Sequence, residues 1–245
     1  MIQMPFDDPR TVARDIPGVF DSIFPQLTPG VVAHFNRTAV AAPVERIASE
    51  LIQRSRLQKA MLFELGVAVG EKLLSSKTID WGEIVAVAVL RQRRHFDAEI
   101  PREISDIDRD IALRVGSNMA SMISGLAKTH SGGCVVVAPP IPGFQWIASG
   151  TGDASVGNTL IEVKCSNRNF SASDYRQIVM YWLLSFAASI ESGGEEWDEG
   201  VLLNPRSASY VIFKFGALLN VISAGLAKVE IIQLFASMIG TRNST

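Results

Sequence analysis

The sequence is poor in cysteine and carries no excess of positive charge. Its two cysteines, Cys134 and Cys165, belong to no Cys-X-X-Cys motif and to no Cys/His cluster, which argues against a zinc site. The formal net charge is −2, so the chain lacks the basic character that many nucleic-acid-binding proteins show. A protein that acts on phosphate groups needs only a local positive patch, however, so the charge balance does not exclude that class.

Signals for membranes, export and nucleotide binding are also missing. Residues 1–9 contain neither the basic nor the apolar segment of a secretory signal peptide. The longest apolar stretch, 211–240, is interrupted by polar residues such as Lys214 and Lys228, so it does not have the pattern of a membrane span. No Walker-type phosphate loop occurs, which excludes an obvious motor. We therefore expect a cytoplasmic protein that contacts no membrane.

The chain is apolar enough to bury a sizeable core. Hydrophobic residues make up 47% of its 245 residues, and its mean hydropathy is +0.21, values that are typical of a folded protein. A chain of this length forms one large domain or a domain with an extension. A change of pattern separates a helical part from a mixed part. We divide the chain into a helical N-terminal region, residues 1–100, and a mixed domain, residues 101–245.

Helix signals dominate up to residue 130. Asp80 and Glu83 have the spacing of a capping box in front of an apolar run. Residues 84–90 are hydrophobic on all sides, which indicates a helix that needs a surface to cover it. The predicted helices span residues 12–24, 42–57, 58–74, 81–95 and 105–128.

Beyond residue 130, β-branched runs alternate with turn residues. The predicted strands span residues 134–138, 145–149, 159–165, 200–204 and 209–214, and the predicted helices span 171–189 and 216–240. From residue 105 onward, the order is therefore helix, three strands, helix, one or two strands, and helix. Both cysteines fall in these apolar segments, and we expect them to be reduced core residues.

The segment from Asp153 to Lys164 carries the strongest chemical signal. Strand side chains alternate between faces, so Glu162 and Lys164 share one face. The run 160–163 is too apolar for a surface strand and indicates a central strand that is covered on both sides. Burying a carboxylate and an ammonium there is costly. A divalent metal held by Asp153 and Glu162, with Lys164 beside the reacting group, would account for all three residues.

Asp153, the Glu162-X-Lys164 pair and a later Gln177-X-X-X-Tyr181 on a predicted helix follow one another in a specific order. This order resembles the PD-(D/E)XK nuclease superfamily, in its branch of RecB-like, Cas4-like and lambda-exonuclease-like enzymes. The resemblance covers about residues 105–215. It implies an α/β fold with a restriction-endonuclease-like αβββαβ core, to which the helical N-terminal region is an extension. The order of the predicted elements agrees with it independently.

The resemblance implies a metal-dependent nuclease that hydrolyses phosphodiester bonds. Asp153 and Glu162 would ligate Mg²⁺ or Mn²⁺, with the backbone carbonyl of Val163 as a third ligand. Lys164 would orient the attacking water or stabilise charge on the reacting phosphate. Gln177 and Tyr181 would order the site and contact the substrate strand. DNA is the expected substrate, in a setting of anti-phage defence or DNA processing that rests on the resemblance alone.

One departure from the pattern leaves an alternative open. The branch usually carries a His or an acid in the helix that precedes the strands. In this chain the corresponding segment, residues 116–124, contains neither. Together with the slightly acidic net charge, this favours a catalytically inactive module that keeps the fold and binds nucleic acid or a protein partner. The Glu162–Lys164 pair could also be a solvated pair on an edge strand, with Tyr181 an ordinary core residue.

Basic residues and the N-terminal helices suggest where partners would bind. Arg168 and Arg176 flank the predicted site, and we expect them to contact the nucleic-acid backbone. The basic cluster 91–95 either matches the dipole of its helix or contacts phosphate. The helices of residues 1–100 either mediate self-association or dock a partner, or they only complete the core of the monomer.

Overall fold

A computed structural model describes residues 8–15, 18–93, 98–129, 133–193 and 196–240. These residues form a mixed α/β protein, in which helices cover both faces of a six-stranded mixed sheet. None of the helices among the described residues is long and apolar enough to cross a membrane.

The helices and strands have the following bounds. The helices are α1 (Pro9–Asp15), α2 (Val19–Ile23), α3 (Pro29–Asn36), α4 (Ser49–Gln53), α5 (Lys59–Leu74), α6 (Trp81–Gln92), α7 (Asp106–Thr129), α8 (Ala172–Ser192), α9 (Phe215–Ile222) and α10 (Lys228–Gly240). The strands are β1 (Val40–Ala41), β2 (Val135–Val137), β3 (Pro140–Ile141), β4 (Gly150–Thr151), β5 (Ala154–Val156), β6 (Thr159–Val163), β7 (Glu199–Asn204) and β8 (Ser209–Lys214).

The main sheet has the order β1-β8-β7-β6-β5-β2, and β3 pairs with β4 in a separate small sheet. Strand β6 runs parallel to β7 and antiparallel to β5, and the other pairs of the main sheet are antiparallel. All five residues of β6 are buried. This confirms the prediction of a central strand that is covered on both sides.

The side chains on the two faces of β6 pack into different parts of the core. Leu160 belongs to a large apolar cluster built around α8, together with α9, α10 and the short helices near the N-terminus. Ile161 and Val163 belong to a second cluster with Met119 and Ile123 of α7. Because side chains alternate along a strand, Glu162 lies on the α8 face. The acid-bearing strand is thus held between two helices.

Elements of residues 1–100 contact the mixed domain closely. Strand β1 extends the main sheet beside β8, and α1 packs on α8. Helices α5 and α7 approach each other through glycines: a Cβ on Gly66 would lie 2.5 Å from Val115 Cγ1, and a Cβ on Gly116 would lie 2.5 Å from Val69 Cγ1. These glycines are required because any side chain would separate the two helices. Helix α5 is thereby fixed against the mixed domain.

Two predicted helices differ from the observed ones. The helix predicted over residues 12–24 is divided into α1 and α2. The helix predicted over residues 42–57 is helical only in α4, because the backbone amides of Ala42 and Ile47 donate to the carbonyls of Ala208 and Arg206. Those bonds tie the segment to the turn between β7 and β8 and keep it out of a helix. Tertiary hydrogen bonds therefore override the local signal.

The predicted strand 145–149 and the expected burial of Cys134 were wrong. Residues 144–147 form a tight turn, in which Phe144 and Ile147 exchange backbone hydrogen bonds. The side chains of Trp146 and Ile147 are buried in the large apolar cluster. Their apolar character therefore reflects burial in the core and not a position in a sheet. The middle strand of the antiparallel meander is β5 instead. Cys134 is exposed, and Cys165 is half-buried.

Candidate active site

Four of the residues singled out in the sequence form one hydrogen-bonded network between β6 and α8. Lys164 Nζ donates to Glu162 Oε1 at 2.7 Å and to Gln177 Oε1 at 2.8 Å. Gln177 Nε2 donates to Glu162 Oε1 at 2.6 Å and to the Tyr181 hydroxyl at 2.9 Å. The strand pair and the helix pair are therefore parts of the same site, and the solvated edge-strand alternative is wrong.

Chemistry fixes the orientation of the Gln177 amide. The ammonium of Lys164 can only donate hydrogen bonds, so it must face the amide oxygen, which leaves the amide nitrogen to donate to Glu162 and Tyr181. Ser171 and Asp174 form a capping box that stabilises the N-terminus of α8, the helix that carries the amide. Asp174 also places Oδ1 3.9 Å from Lys164 Nζ. Gln177 and Tyr181 are one helical turn apart and point into the site together.

Asp153 lies beside the network, in the bend before β5. Its Oδ2 accepts a hydrogen bond from the backbone amide of Val163 at 2.7 Å, and its carbonyl accepts one from the amide of Ala138 at 3.1 Å. These two bonds hold the carboxylate at the C-terminal end of β6, where Glu162 and Lys164 also lie. The structure thus brings together the three charged residues of the sequence pattern.

The surroundings of Glu162 are unusual for a carboxylate. Its side chain is only 3% exposed, and Oε2 is buried without a hydrogen-bond donor among the described residues. Burial, followed by the nearby charge of Asp153, raises the pKa of Glu162 to about 7, although Lys164 and Arg10 act in the opposite direction. A buried carboxylate oxygen without a donor is rare in native structures, and a cation would satisfy it.

The donors present suit a hard divalent cation held partly by water. Among the described residues, no group of three or more His, Cys, Asp or Glu side chains could hold a metal ion. An ion at this site would depend on the carboxylates of Asp153 and Glu162, with backbone oxygen and water in its other positions. Mg²⁺ commonly binds through one or two carboxylates and keeps several waters. The role of the Val163 carbonyl stays a prediction.

Arg10 is a member of the site that the sequence did not reveal. Helix α1 places its Nε 2.8 Å from the Tyr181 hydroxyl, to which it donates, and its Nη2 3.6 Å from Asp153 Oδ1. Burial alone would lower the pKa of Arg10, but attraction to Asp153, with smaller contributions from Tyr181 and Glu162, raises it above the ordinary value. The guanidinium is therefore fixed in its charged form beside the acids.

Glu64 of α5 is a second residue that sequence reasoning missed. Burial raises the pKa of the Glu64 carboxyl; Arg91, whose Nη1 lies 3.6 Å from Glu64 Oε2, opposes this, and the charge of Asp153 adds to it. Glu64 is thus near enough to Asp153 for their charges to interact. The signal in the sequence was an acid between Leu62 and Leu65, inside the apolar face of a helix.

The basic residues expected around the site have varied surroundings. Arg168 is exposed in the loop after β6, whereas Arg176 is paired with Asp21 at 2.7 Å. Arg91 Nη2 donates to both carboxylate oxygens of Glu71 at 2.8 Å, so Arg91 links α6 to α5 and does not lie on a solvated face. Arg93 of the same cluster is exposed. The other two basic residues of the cluster, at positions 94 and 95, lie outside the described residues.

Comparison of the chain with protein-family models, with curated proteins and with solved structures found no match. The geometry of this site and the chemistry of its residues are therefore the basis for a function.

Proposed function

We propose that this protein is a metal-dependent nuclease that hydrolyses phosphodiester bonds, with DNA as its expected substrate. The observation that carries the proposal is the buried Oε2 of Glu162, which has no donor among the described residues although Asp153 and Lys164 lie beside it. Burying such a group is costly, and a divalent cation bound by both carboxylates would offset that cost. The ammonium within the same network is suited to a negatively charged substrate.

The order of the helices and strands supports the proposal of a nuclease. Strands β2, β5 and β6 form an antiparallel meander after α7, and α8 then connects β6 to the parallel strand β7. This is the αβββαβ order that the resemblance implied, although its middle strand is β5 rather than residues 145–149. A restriction-endonuclease-like core is therefore part of the proposal. Its site lies where the acid-bearing strand meets the connecting helix.

Each residue of the network has a role in the proposed chemistry. A bound Mg²⁺ or Mn²⁺ would polarise the phosphate and lower the pKa of an attacking water. Asp153 and Glu162 would hold the ion, and Glu162 would lose the proton that its raised pKa retains near neutral pH. Lys164 would stabilise negative charge that develops on the phosphate. Gln177 holds Lys164 and Glu162 in one fixed arrangement through its amide.

The acid expected on a helix before the strands would be Glu64. Residues 116–124 of α7 contain no His or acid. Helix α5 packs directly on α7, and its Glu64 is near enough to Asp153 for the charge of Asp153 to raise the pKa of Glu64. The missing acid of the sequence pattern would then be supplied by the N-terminal helical region.

The direct test is cleavage of labelled single- and double-stranded DNA and RNA of one sequence, with Mg²⁺, Mn²⁺ or EDTA. The matched control is Asp153→Asn, purified in the same way, which reveals any contaminating nuclease. We expect cleavage of DNA by the wild type that requires the metal and is absent in the control. Equal cleavage by both proteins, or none by either with any substrate, would contradict the proposal.

A second candidate is a module that binds nucleic acid or a protein without turnover. It is favoured by the pairing of Arg10 with Asp153 and by the absence, among the described residues, of a group of three metal-ligating side chains. The same assay separates the two functions when it is combined with a binding measurement. Tight binding of nucleic acid, with no product under any metal condition, would establish the module.

A further inference from the structure

Helix α1 holds Arg10 at the site through apolar anchors. Val12 and Ala13 are buried in the cluster that surrounds α8. Asp8 starts the helix: its Oδ1 accepts from the Arg10 amide at 2.7 Å, and its carbonyl accepts from the Val12 amide at 3.1 Å. Releasing α1 would expose this apolar surface to water. Arg10 is therefore a fixed part of the site rather than a loosely attached side chain.

The guanidinium of Arg10 lies at the mouth of the site. Its side chain is 42% exposed, whereas that of Asp153 is 16% exposed and that of Glu162 is nearly buried. Its Nη2 contacts are long, at 3.6 Å to Asp153 and 3.5 Å to the carbonyl of Thr151. A strong N–H···O bond is shorter than these distances. Donor capacity of the planar fork is thus left for a ligand that approaches from solvent.

Without a metal ion, the charges around the site oppose the binding of an anion unless a cation lies at the mouth. Asp153, Glu162 and Glu64 are acids, and Lys164 is engaged with Glu162 and Gln177 behind them. Of the two arginines expected to contact phosphate, Arg176 is paired with Asp21, and Arg168 is exposed in the loop after β6. A phosphodiester that approaches the acids would be repelled unless it met a positive group first.

We propose that Arg10 is a substrate-binding residue, whose guanidinium binds a phosphate group of the nucleic-acid strand beside the acidic pair. The fork of a guanidinium matches two phosphate oxygens, which a lysine cannot do. The Tyr181 hydroxyl holds Nε, so the free edge of the fork keeps one direction. This inference rests on the proposed function of the same site and adds to it a residue from the N-terminal region.

A competing interpretation makes the opposite prediction. If Arg10 only neutralised Asp153 in place of a metal ion, its removal would strengthen metal binding and raise the cleavage rate. If Arg10 binds phosphate, its removal weakens the binding of nucleic acid whether or not a metal is present. Binding in EDTA therefore separates the two interpretations without relying on turnover.

The experiment measures binding of a labelled oligonucleotide in EDTA over a range of salt concentrations. The variants are Arg10→Gln and Arg10→Lys, and the control is Arg114→Gln, which removes the same charge from an exposed ion pair with Asp110. For Arg10→Gln we expect about tenfold weaker binding and a salt slope that is smaller by about one phosphate contact. Arg10→Lys should keep the slope and lose part of the affinity. The control should match the wild type.

Several outcomes would overturn the inference. Unchanged affinity and slope in Arg10→Gln would show that Arg10 does not bind the strand. Tighter Mn²⁺ binding by calorimetry, together with faster cleavage, would assign it the neutralising role. Should Arg10→Gln fail to fold, a lower salt slope in Arg10→Lys would decide against the inference. A wild type that neither binds nor cuts nucleic acid would reject the proposed function itself, whereas a normal wild type with normal Arg10 variants would reject only the role of Arg10.

Discussion

Gln177 donates from Nε2 to Glu162 Oε1 at 2.6 Å, so one amide of α8 is bonded to the acid of the central strand. The oxygen of the same amide accepts from Lys164 at 2.8 Å. The carboxylate and the ammonium are thus held in a fixed arrangement by a residue outside their strand. This relationship explains why the Gln-X-X-X-Tyr pattern and the Glu-X-Lys pattern belong together: the first positions the second.

The acidic pair should be essential for cleavage. We expect Asp153→Asn and Glu162→Gln each to lower metal-dependent cleavage by at least about a hundredfold, because each removes a negative ligand from the ion. Both replacements preserve shape, and circular dichroism should show an intact fold. Cleavage rates are measured with saturating Mn²⁺. A variant that cuts at the wild-type rate would show that its residue is not a ligand.

Lys164 should act on turnover rather than on the affinity for metal. Lys164→Met should lower the cleavage rate by about 10²–10³-fold, as for the loss of a charge-stabilising donor, with much less effect on Mn²⁺ binding. The control is Lys214→Met, which removes a lysine from a surface pair with Asp198. Calorimetric titration beside the cleavage assay measures both quantities. If Lys164→Met lost metal binding as fully as Glu162→Gln, the lysine would be structural.

The raised pKa of Glu162 should make the metal-free protein less stable at neutral than at acidic pH. Between about 4.5, the ordinary value, and about 7, the native state holds a proton that the unfolded chain has lost. The free energy of unfolding should therefore fall as the pH rises through this range, by on the order of 1–3 kcal/mol from this group.

Urea unfolding in EDTA at several pH values tests this dependence. Glu162→Gln cannot titrate at this position, so its stability should lack this contribution and should exceed that of the wild type near pH 8. The same pH dependence in both proteins would mean that Glu162 does not retain its proton in the native state.

The contact between α5 and α7 should be sensitive to a single methyl group. A Cβ at position 116 would lie 2.5 Å from Val69 Cγ1 and 2.8 Å from the amide of Gly70, so Gly116→Ala should destabilise the protein by about 1–3 kcal/mol. Gly125, on the same helix, has no atom within 4 Å of the equivalent position among the described residues. Gly125→Ala should stabilise the protein by up to about 1 kcal/mol through helix propensity. Thermal or urea unfolding measures both, and equal effects would contradict the packing argument.

Self-association through the N-terminal region predicts a role for Leu90. Ile84 and Ala88 of α6 are buried, but Leu90 is 64% exposed, so the apolar run 84–90 is not fully covered within one chain. Light scattering of the full chain should show a dimer or a co-purifying partner, and Leu90→Glu should abolish it. A truncation is a poorer test, because removing α5 would uncover α7. A strictly monomeric wild type at micromolar concentration without a partner would reject association.

Local patterns predicted the part of the site that lies within one segment. The alternation of β6 placed Glu162 and Lys164 on one face, and the turn spacing of α8 placed Gln177 above Tyr181. The predicted helices at 58–74 and 105–128 agree with α5 and α7 within about two residues, because their apolar residues repeat with the helical period.

The remaining parts depend on contacts between distant segments, and no local pattern contains them. Residues 42–48 are not helical because Ala42 and Ile47 bond to the turn after β7, although the sequence there also suits a helix. The apolar run at Trp146 serves burial in the core, where the ring Nε1 donates a hydrogen bond to the carbonyl of Ile239. Arg10 stands in no recognisable motif. Only the packing of α1 on α8 brings it to the site.

The hydrogen bond between Arg10 and Tyr181 joins residues that are 171 positions apart in the chain. During synthesis, Arg10 leaves the ribosome long before Tyr181 is translated. The acids of β6 also appear before α8 is complete, so a nascent chain holds them without their full set of partners. Contacts of such long sequence separation form late and slow the folding of a chain. The site can therefore be complete only after α8 has been synthesised.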